Sequence, residues 1–136
     1  MILYRLLRAD EDPAKGLTAK DPNSDVTVDF HVSYGSNGSD SRYISCSKTL
    51  EGITEFASHS TTFPRRIVRI ELNENDPDIN IIDLTNYYER IQHVFTQRGI
   101  NFARKFDEVL VEGWTSIVAA IPSDTETDSF YERQTT

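Results

Sequence analysis

Short apolar runs that alternate with polar residues dominate the chain, and they predict strands more often than helices. Residues 1–8 read as a first strand, with Ile2, Tyr4 and Leu6 on one face and Leu3 on the other, closed by Ala9-Asp10-Glu11-Asp12-Pro13. Val26, Val28 and Phe30 alternate with polar neighbours and predict a short strand or extended segment. Residues 34–42 are rich in glycine and serine and include Asn37 and Asp40, the composition of a flexible loop. Tyr43-Ile44-Ser45 predicts a short strand, after which Leu50, Ile53, Phe56 and Ala57 fall at helical spacing with Ser47 placed to cap the helix. Phe63-Pro64 breaks the pattern.

The clearest strand covers residues 66–72, with Val68, Ile70 and Leu72 on one side and Arg69 and Glu71 on the other. A turn over residues 73–78 leads to an apolar segment at 79–84. Asn86 and Glu89 are spaced as a capping box ahead of a helical stripe of Tyr87, Ile91, Val94 and Phe95 that ends before Gly99. Residues 109–111 read as a buried strand and 116–121 as another. Residues 122–136 are polar and acidic and read as a frayed tail. Strands outnumber helices without regular alternation, so the expected class is α+β, in one domain over residues 1–122 followed by a tail over 123–136.

Composition narrows the partners. The 136 residues suffice to bury a core, and 22 acidic against 14 basic residues give a net charge of −8. That balance argues against a broad nucleic-acid footprint, which needs a basic face. Cys46 is the lone cysteine, so no disulfide framework forms within the chain and a reducing cytosol is favoured. The opening residues are too short and too charged for a signal peptide, and no run approaches a membrane span. The expectation is a cytoplasmic protein with no membrane partner, or one delivered into a target cell.

Three separated elements carry the candidate chemistry. Arg5 lies in the first apolar run, Tyr43-Ile44-Ser45-Cys46-Ser47 forms an aromatic-x-Ser-x-Ser segment, and Glu108 opens Glu108-Val109-Leu110-Val111. In that order they resemble the Arg–Ser–Glu pattern of ADP-ribosyltransferases, in particular the pierisin-like, toxin-type mono-ADP-ribosyltransferases. Leu3-Tyr4-Arg5 followed by Gly16-Leu17, the helix and strand after Ser47, and Ile121-Pro122 extend the resemblance over about residues 3–122. It implies two small packed β-sheets with flanking helices and a cleft for NAD. It implies cleavage of NAD with release of nicotinamide and transfer of ADP-ribose to a macromolecular acceptor, as a toxin or effector does, and a neutralising antitoxin or immunity protein as a further partner.

The residue types suit that reaction. Breaking the bond between a ribose carbon and cationic nicotinamide passes through an oxocarbenium-like state. Nicotinamide leaves readily, so the protein needs a carboxylate near the ribose more than an acid. The resemblance gives that role to Glu108, with Glu112 as its rival. Ser45 would hold the carboxylate, and Arg5 would offer its fork of donors to phosphate or ribose oxygens. Leu6, Tyr43, Ser45, Ser47, Phe56 and His31 complete the expected NAD contacts, with Tyr43, Tyr34 or Phe56 to stack on nicotinamide. Phe106 stands two residues before Glu108, where family members often carry Glu or Gln; this disfavours arginine as acceptor and leaves a nucleobase, another protein residue or water.

Each residue also has a plainer reading. Arg5 can pair with Asp10 or Glu11, Ser47 can serve only as a cap, and Trp114 can be core. His31 is structural more often than ligand-bound. His59, His93 and Cys46 lack partners at metal-ligand or thiol-catalyst spacing. An RNA 2′-phosphotransferase, an NAD glycohydrolase, and a degenerate domain that only binds a protein partner are the alternatives.

Overall fold

A computed structural model describes residues 1–35, 40–61, 63–112 and 121–122. They form an α+β fold: strands β1 (Ile2–Leu6), β2 (Tyr43–Ser47), β3 (Ile67–Glu71), β4 (Asn80–Asp83), β5 (Glu108–Glu112) and β6 (Ile121–Pro122), with helices α1 (Val28–Tyr34), α2 (Leu50–Ala57), α3 (Tyr87–His93) and α4 (Gln97–Lys105). The strands make one sheet in the order β4-β5-β2-β1-β3-β6, with every neighbouring pair antiparallel.

Two small packed sheets were expected, and the described residues form one. The reason is a narrow junction. β1 pairs with β3 at five positions and β2 with β5 at five, but β1 and β2 share only Tyr4 and Ser47. The sheet is thus two three-stranded halves joined at one point, and this junction positions the site.

Alternation along the strands sorts the core. One face carries Leu3, Leu7, Ile44, Cys46, Val68, Ile70, Leu72, Val109 and Val111, with Leu17 packed on from the loop after β1. The other face holds two separate apolar clusters. Val28, Tyr43, Ile82, Leu84, Val94, Ala103 and Leu110 join α1 and α4 to the β4-β5-β2 half. Ile53, Ala57 and Ile67, with Tyr4 and Leu6 against them, join α2 to the β1-β3 half.

Several local expectations change. Residues 28–30 lie in a helix, because Thr27 caps it by accepting from the Phe30 N–H, and Val28 and His31 then share its buried side. The cap of α2 is Thr49, which accepts from the Gly52 N–H at 2.9 Å; Ser47 instead donates to the Thr49 carbonyl. Asn86 caps α3 as expected, but Glu89 accepts from the Asp83 N–H and leaves the box half-formed. Gly99 ends no helix: it sits inside α4, where a Cβ would meet Asp29 Oδ1 at 2.4 Å, so its lack of a side chain lets α4 close on α1. Of the α3 stripe only Val94 is buried; Tyr87, Ile91 and Phe95 are exposed. Trp114, residues 116–120 of the expected late strand, the tip of the 34–42 loop and the tail beyond Pro122 lie outside the described residues.

Candidate active site

On β2, alternation puts Tyr43, Ser45 and Ser47 on the helix-covered face, and the register sets Leu110 opposite Ser45 and Glu108 opposite Ser47. Ser45, Ser47 and Glu108 therefore form a polar row between the two apolar clusters of that face. Glu108 is aimed by the turn before it. Asp107 takes a left-handed conformation at φ 48°, which is uncommon for a residue with a side chain. Its carboxylate accepts from the Thr49 hydroxyl, and its carbonyl accepts from the Lys48 N–H at 2.9 Å. A Cβ on Gly52 would stand 2.5 Å from the Phe106 carbonyl oxygen and 2.5 Å from Ser47 Oγ, so the start of α2 closes directly on the turn that delivers Glu108.

Ser45 is the hub. Its hydroxyl lies 2.6 Å from His31 Nε2 and favours the ionised form of the Glu108 carboxyl. Burial pushes the Glu108 carboxyl up to about 8, against the opposing pull of the Ser45 hydroxyl and the Arg5 guanidinium. Burial, and then the positive charge of Arg5, pushes His31 down to about 4, so the imidazole is neutral. Ser45 has one proton to give. When that proton goes to ionised Glu108, His31 Nε2 must carry its own hydrogen and donate to Ser45 Oγ. His31 Nδ1 is then a bare acceptor, buried and without a hydrogen-bond partner among the described residues.

Arg5 arrives from the opposite face. Alternation places it with Leu3 and Leu7, and the sparse β1–β2 pairing lets its guanidinium reach across. Nη1 donates to the Ser45 carbonyl at 2.7 Å, taking the place of a missing ladder donor. The rest of the fork is engaged: Nε donates to Glu11 Oε2 at 3.2 Å and Nη2 to Glu11 Oε1 at 2.9 Å. Both side chains are 6% exposed. The plain pairing of Arg5 with Glu11 is thus realised, and the same guanidinium also holds the backbone of Ser45. Its fork faces a carboxylate within the fold, which corrects the expectation that it stands ready for a phosphate.

The structure sorts the remaining expected contacts. Tyr43 is core: its ring meets His31 edge-on at 5.8 Å and its hydroxyl accepts from Arg42 at 2.8 Å, so it has no open face for nicotinamide. Ser47 is 1% exposed, with its hydroxyl turned onto the Thr49 backbone, and so faces no ligand. Leu6 is partly buried against the α2 cluster. Phe56 and Tyr34 are exposed rings; Phe56 packs edge-on against Phe106 at 5.2 Å, and Phe106 stacks on Phe102 at 5.8 Å. Glu112, the rival carboxylate, pairs with Arg42 at 2.8 Å and accepts from Asn80 at the far end of β5. The Cys46 thiol is buried and pushed up to about 12, which removes it as a nucleophile.

Glu11 and Thr49 are the structural supports that the sequence pattern did not mark. Glu11 was visible only as one of two acids near Arg5, and Thr49 as a hydroxyl two residues beyond the expected cap. Among the described residues, no helix is long and apolar enough to cross a membrane.

No protein-family model matches the chain, and no curated protein matches it. Among solved structures it is similar to EcPltA, with a TM-score of 0.55 and 18% sequence identity, over 84% of this chain and 69% of that one. At that identity the likeness is one of fold.

Proposed function

We propose that the chain has an ADP-ribosyltransferase fold and is an NAD-dependent mono-ADP-ribosyltransferase. One observation carries the reading. Arg5, Ser45 and Glu108, far apart in sequence and marked by the order of the pattern alone, converge on one residue: Arg5 holds the Ser45 carbonyl, while the Ser45 hydroxyl faces His31 and acts on Glu108. The NAD cleft in this reading is the polar row between the α1/α4 and α2 clusters.

Glu108 supplies the charge. Burial favours its protonated form. The cationic nicotinamide ribose of NAD favours the anion, so substrate entry ionises the carboxyl where it is needed. The carboxylate then accepts from a ribose hydroxyl and offsets the positive charge that develops as the bond between the ribose carbon and nicotinamide nitrogen breaks. The electron pair of that bond leaves with nicotinamide. The acceptor forms the new bond to the same carbon and releases a proton. Ser45, turned by His31, donates to Glu108 and fixes its direction, while Arg5 fixes the strand that carries Ser45. Phe56 and Tyr34 are the exposed rings suited to a flat substrate group.

Phe106 favours an acceptor other than arginine: an apolar ring set among Phe56 and Phe102 cannot accept a hydrogen bond from a guanidinium. The same feature supports a second reading, an NAD glycohydrolase with water as acceptor. A toxin or effector role, with a neutralising partner, follows from the family resemblance alone.

The test is incubation with NAD labelled in the ADP-ribose and a whole-cell lysate, separated into protein, nucleic acid and small molecules. Label in a macromolecular fraction with equimolar nicotinamide is expected. Nicotinamide release with all label left in small molecules selects the glycohydrolase. No NAD binding by calorimetry refutes both and leaves a non-catalytic binding domain.

A further inference from the structure

We infer that Glu11 is a positioning residue for this site: its grip on Arg5 fixes the Ser45 carbonyl and keeps the Arg5 guanidinium from closing on Glu108. The inference rests on the proposed role of Arg5, Ser45 and Glu108, but its main test reads geometry and charge without turnover.

The loop after β1 folds back so that the Glu11 carboxylate meets Arg5 side by side through two hydrogen bonds, at 3.2 and 2.9 Å. Glu11 is itself fixed on both sides. Its Oε1 accepts the Arg8 N–H at 2.7 Å, and Arg66 Nη2 donates at 3.1 Å to the carbonyls of both Glu11 and Arg8. Arg66 in turn belongs to the chain entering β3, where its carbonyl accepts from the Leu7 N–H at 2.8 Å. The loop is thus tied to the sheet, and the carboxylate to the loop.

A pair this deeply buried is weak evidence for stability, because desolvating both charges offsets most of their attraction. What the pair does supply is direction. With Nε and Nη2 held by Glu11, Nη1 has one position, on the Ser45 carbonyl. An unheld arginine is long and mobile, and the nearby carboxyl that already lies in its field is Glu108. Closure of Arg5 on Glu108 would neutralise the group that the reaction needs. The groups acting on Glu108 are Ser45 from β2, Arg5 from β1, and His31 from α1 through Ser45; its neighbour Asp107 is turned away onto Thr49.

The experiment compares Glu11→Gln with Arg66→Gln. The first removes the grip on Arg5. The second loosens the same loop through its backbone and touches neither Arg5 nor Glu108. The Glu108 side-chain carboxyl carbon is followed by NMR from pH 5 to 10, with melting measured in parallel. With its counter-charge gone, Arg5 should lower the Glu108 midpoint by about one pH unit in Glu11→Gln. Arg66→Gln should melt earlier and leave the midpoint in place. If Glu11→Gln does not fold, Glu11→Asp, which keeps the charge and shortens the reach, should shift the midpoint in the same direction by less. An unmoved midpoint in the folded Glu11 variant, or an equal shift in Arg66→Gln, overturns the inference. Where wild-type protein turns over NAD, Glu11→Gln should lower kcat roughly ten-fold with KM little changed, since Glu11 is buried away from substrate. Absence of wild-type turnover would count against the transferase reading and leave the NMR result standing.

Discussion

Replacing Glu108 with Gln should remove activity and, at alkaline pH, raise stability. Gln keeps the shape and an acceptor for Ser45 but carries no charge. The Glu108 carboxyl has an ordinary value of 4.5 and a value of about 8 in the fold. Below about pH 4.5 it is protonated in folded and unfolded chains alike, and the substitution is neutral. Between 4.5 and 8 the unfolded chain ionises while the folded one resists, so the wild-type protein loses stability as pH rises. Above 8 both states are ionised and the full penalty remains. At about 1.4 kcal/mol per pKa unit, that penalty is on the order of 3–5 kcal/mol, trimmed by whatever water reaches this partly exposed side chain. Thermal melts of wild type and Glu108→Gln should coincide at pH 4 and separate by roughly 10 °C at pH 9, with the variant higher. In the same variant, NAD should still bind while turnover falls by about 10²–10³, the usual cost of losing one preorganised charge in the transition state. Loss of stability at both pH values would mean that the carboxyl is an ordinary structural group. Near-normal turnover in Glu108→Gln, with a dead Glu112→Gln, would mean that the wrong carboxylate has been assigned.

His31→Asn should cut turnover about ten-fold through loss of the donor that turns Ser45; in wild type, the His31 ring carbons followed by NMR should titrate near pH 4, and a midpoint near 6.5 would refute the buried, neutral assignment. Gly52→Ala should destabilise by about 1–3 kcal/mol, because its Cβ meets the Phe106 carbonyl and Ser47 Oγ; unchanged denaturant melts would show that the α2–β5 contact is loose. Mass spectrometry of modified lysate should find little ADP-ribosylated arginine in the wild type, and abundant modified arginine would refute the argument from Phe106.

The sequence by itself determined the α+β class and the strands on which Arg5, Ser45 and Glu108 lie, because strand alternation is a local property of the chain. It was least informative where a single capping hydroxyl outweighed an apolar pattern. Thr27 turned Val28 to Tyr34 into a helix, and Thr96 started α4 across a glycine that looked like a stop. Gly99 could not be read correctly because its tightness is toward α1, nearly seventy residues earlier in the chain. The tertiary structure alone decided which partners the site residues take. Arg5 lies on the opposite side of its strand from Ser45 and Glu108 by alternation, and only the single pairing between β1 and β2 lets it cross. Whether its fork would meet a phosphate or a carboxylate depended on how the loop after β1 folds back. Whether His31 was structural or part of the site depended on α1 docking over β2, 2.6 Å from Ser45 Oγ. These are contacts between elements, set by packing and register, and no periodicity within one element encodes them.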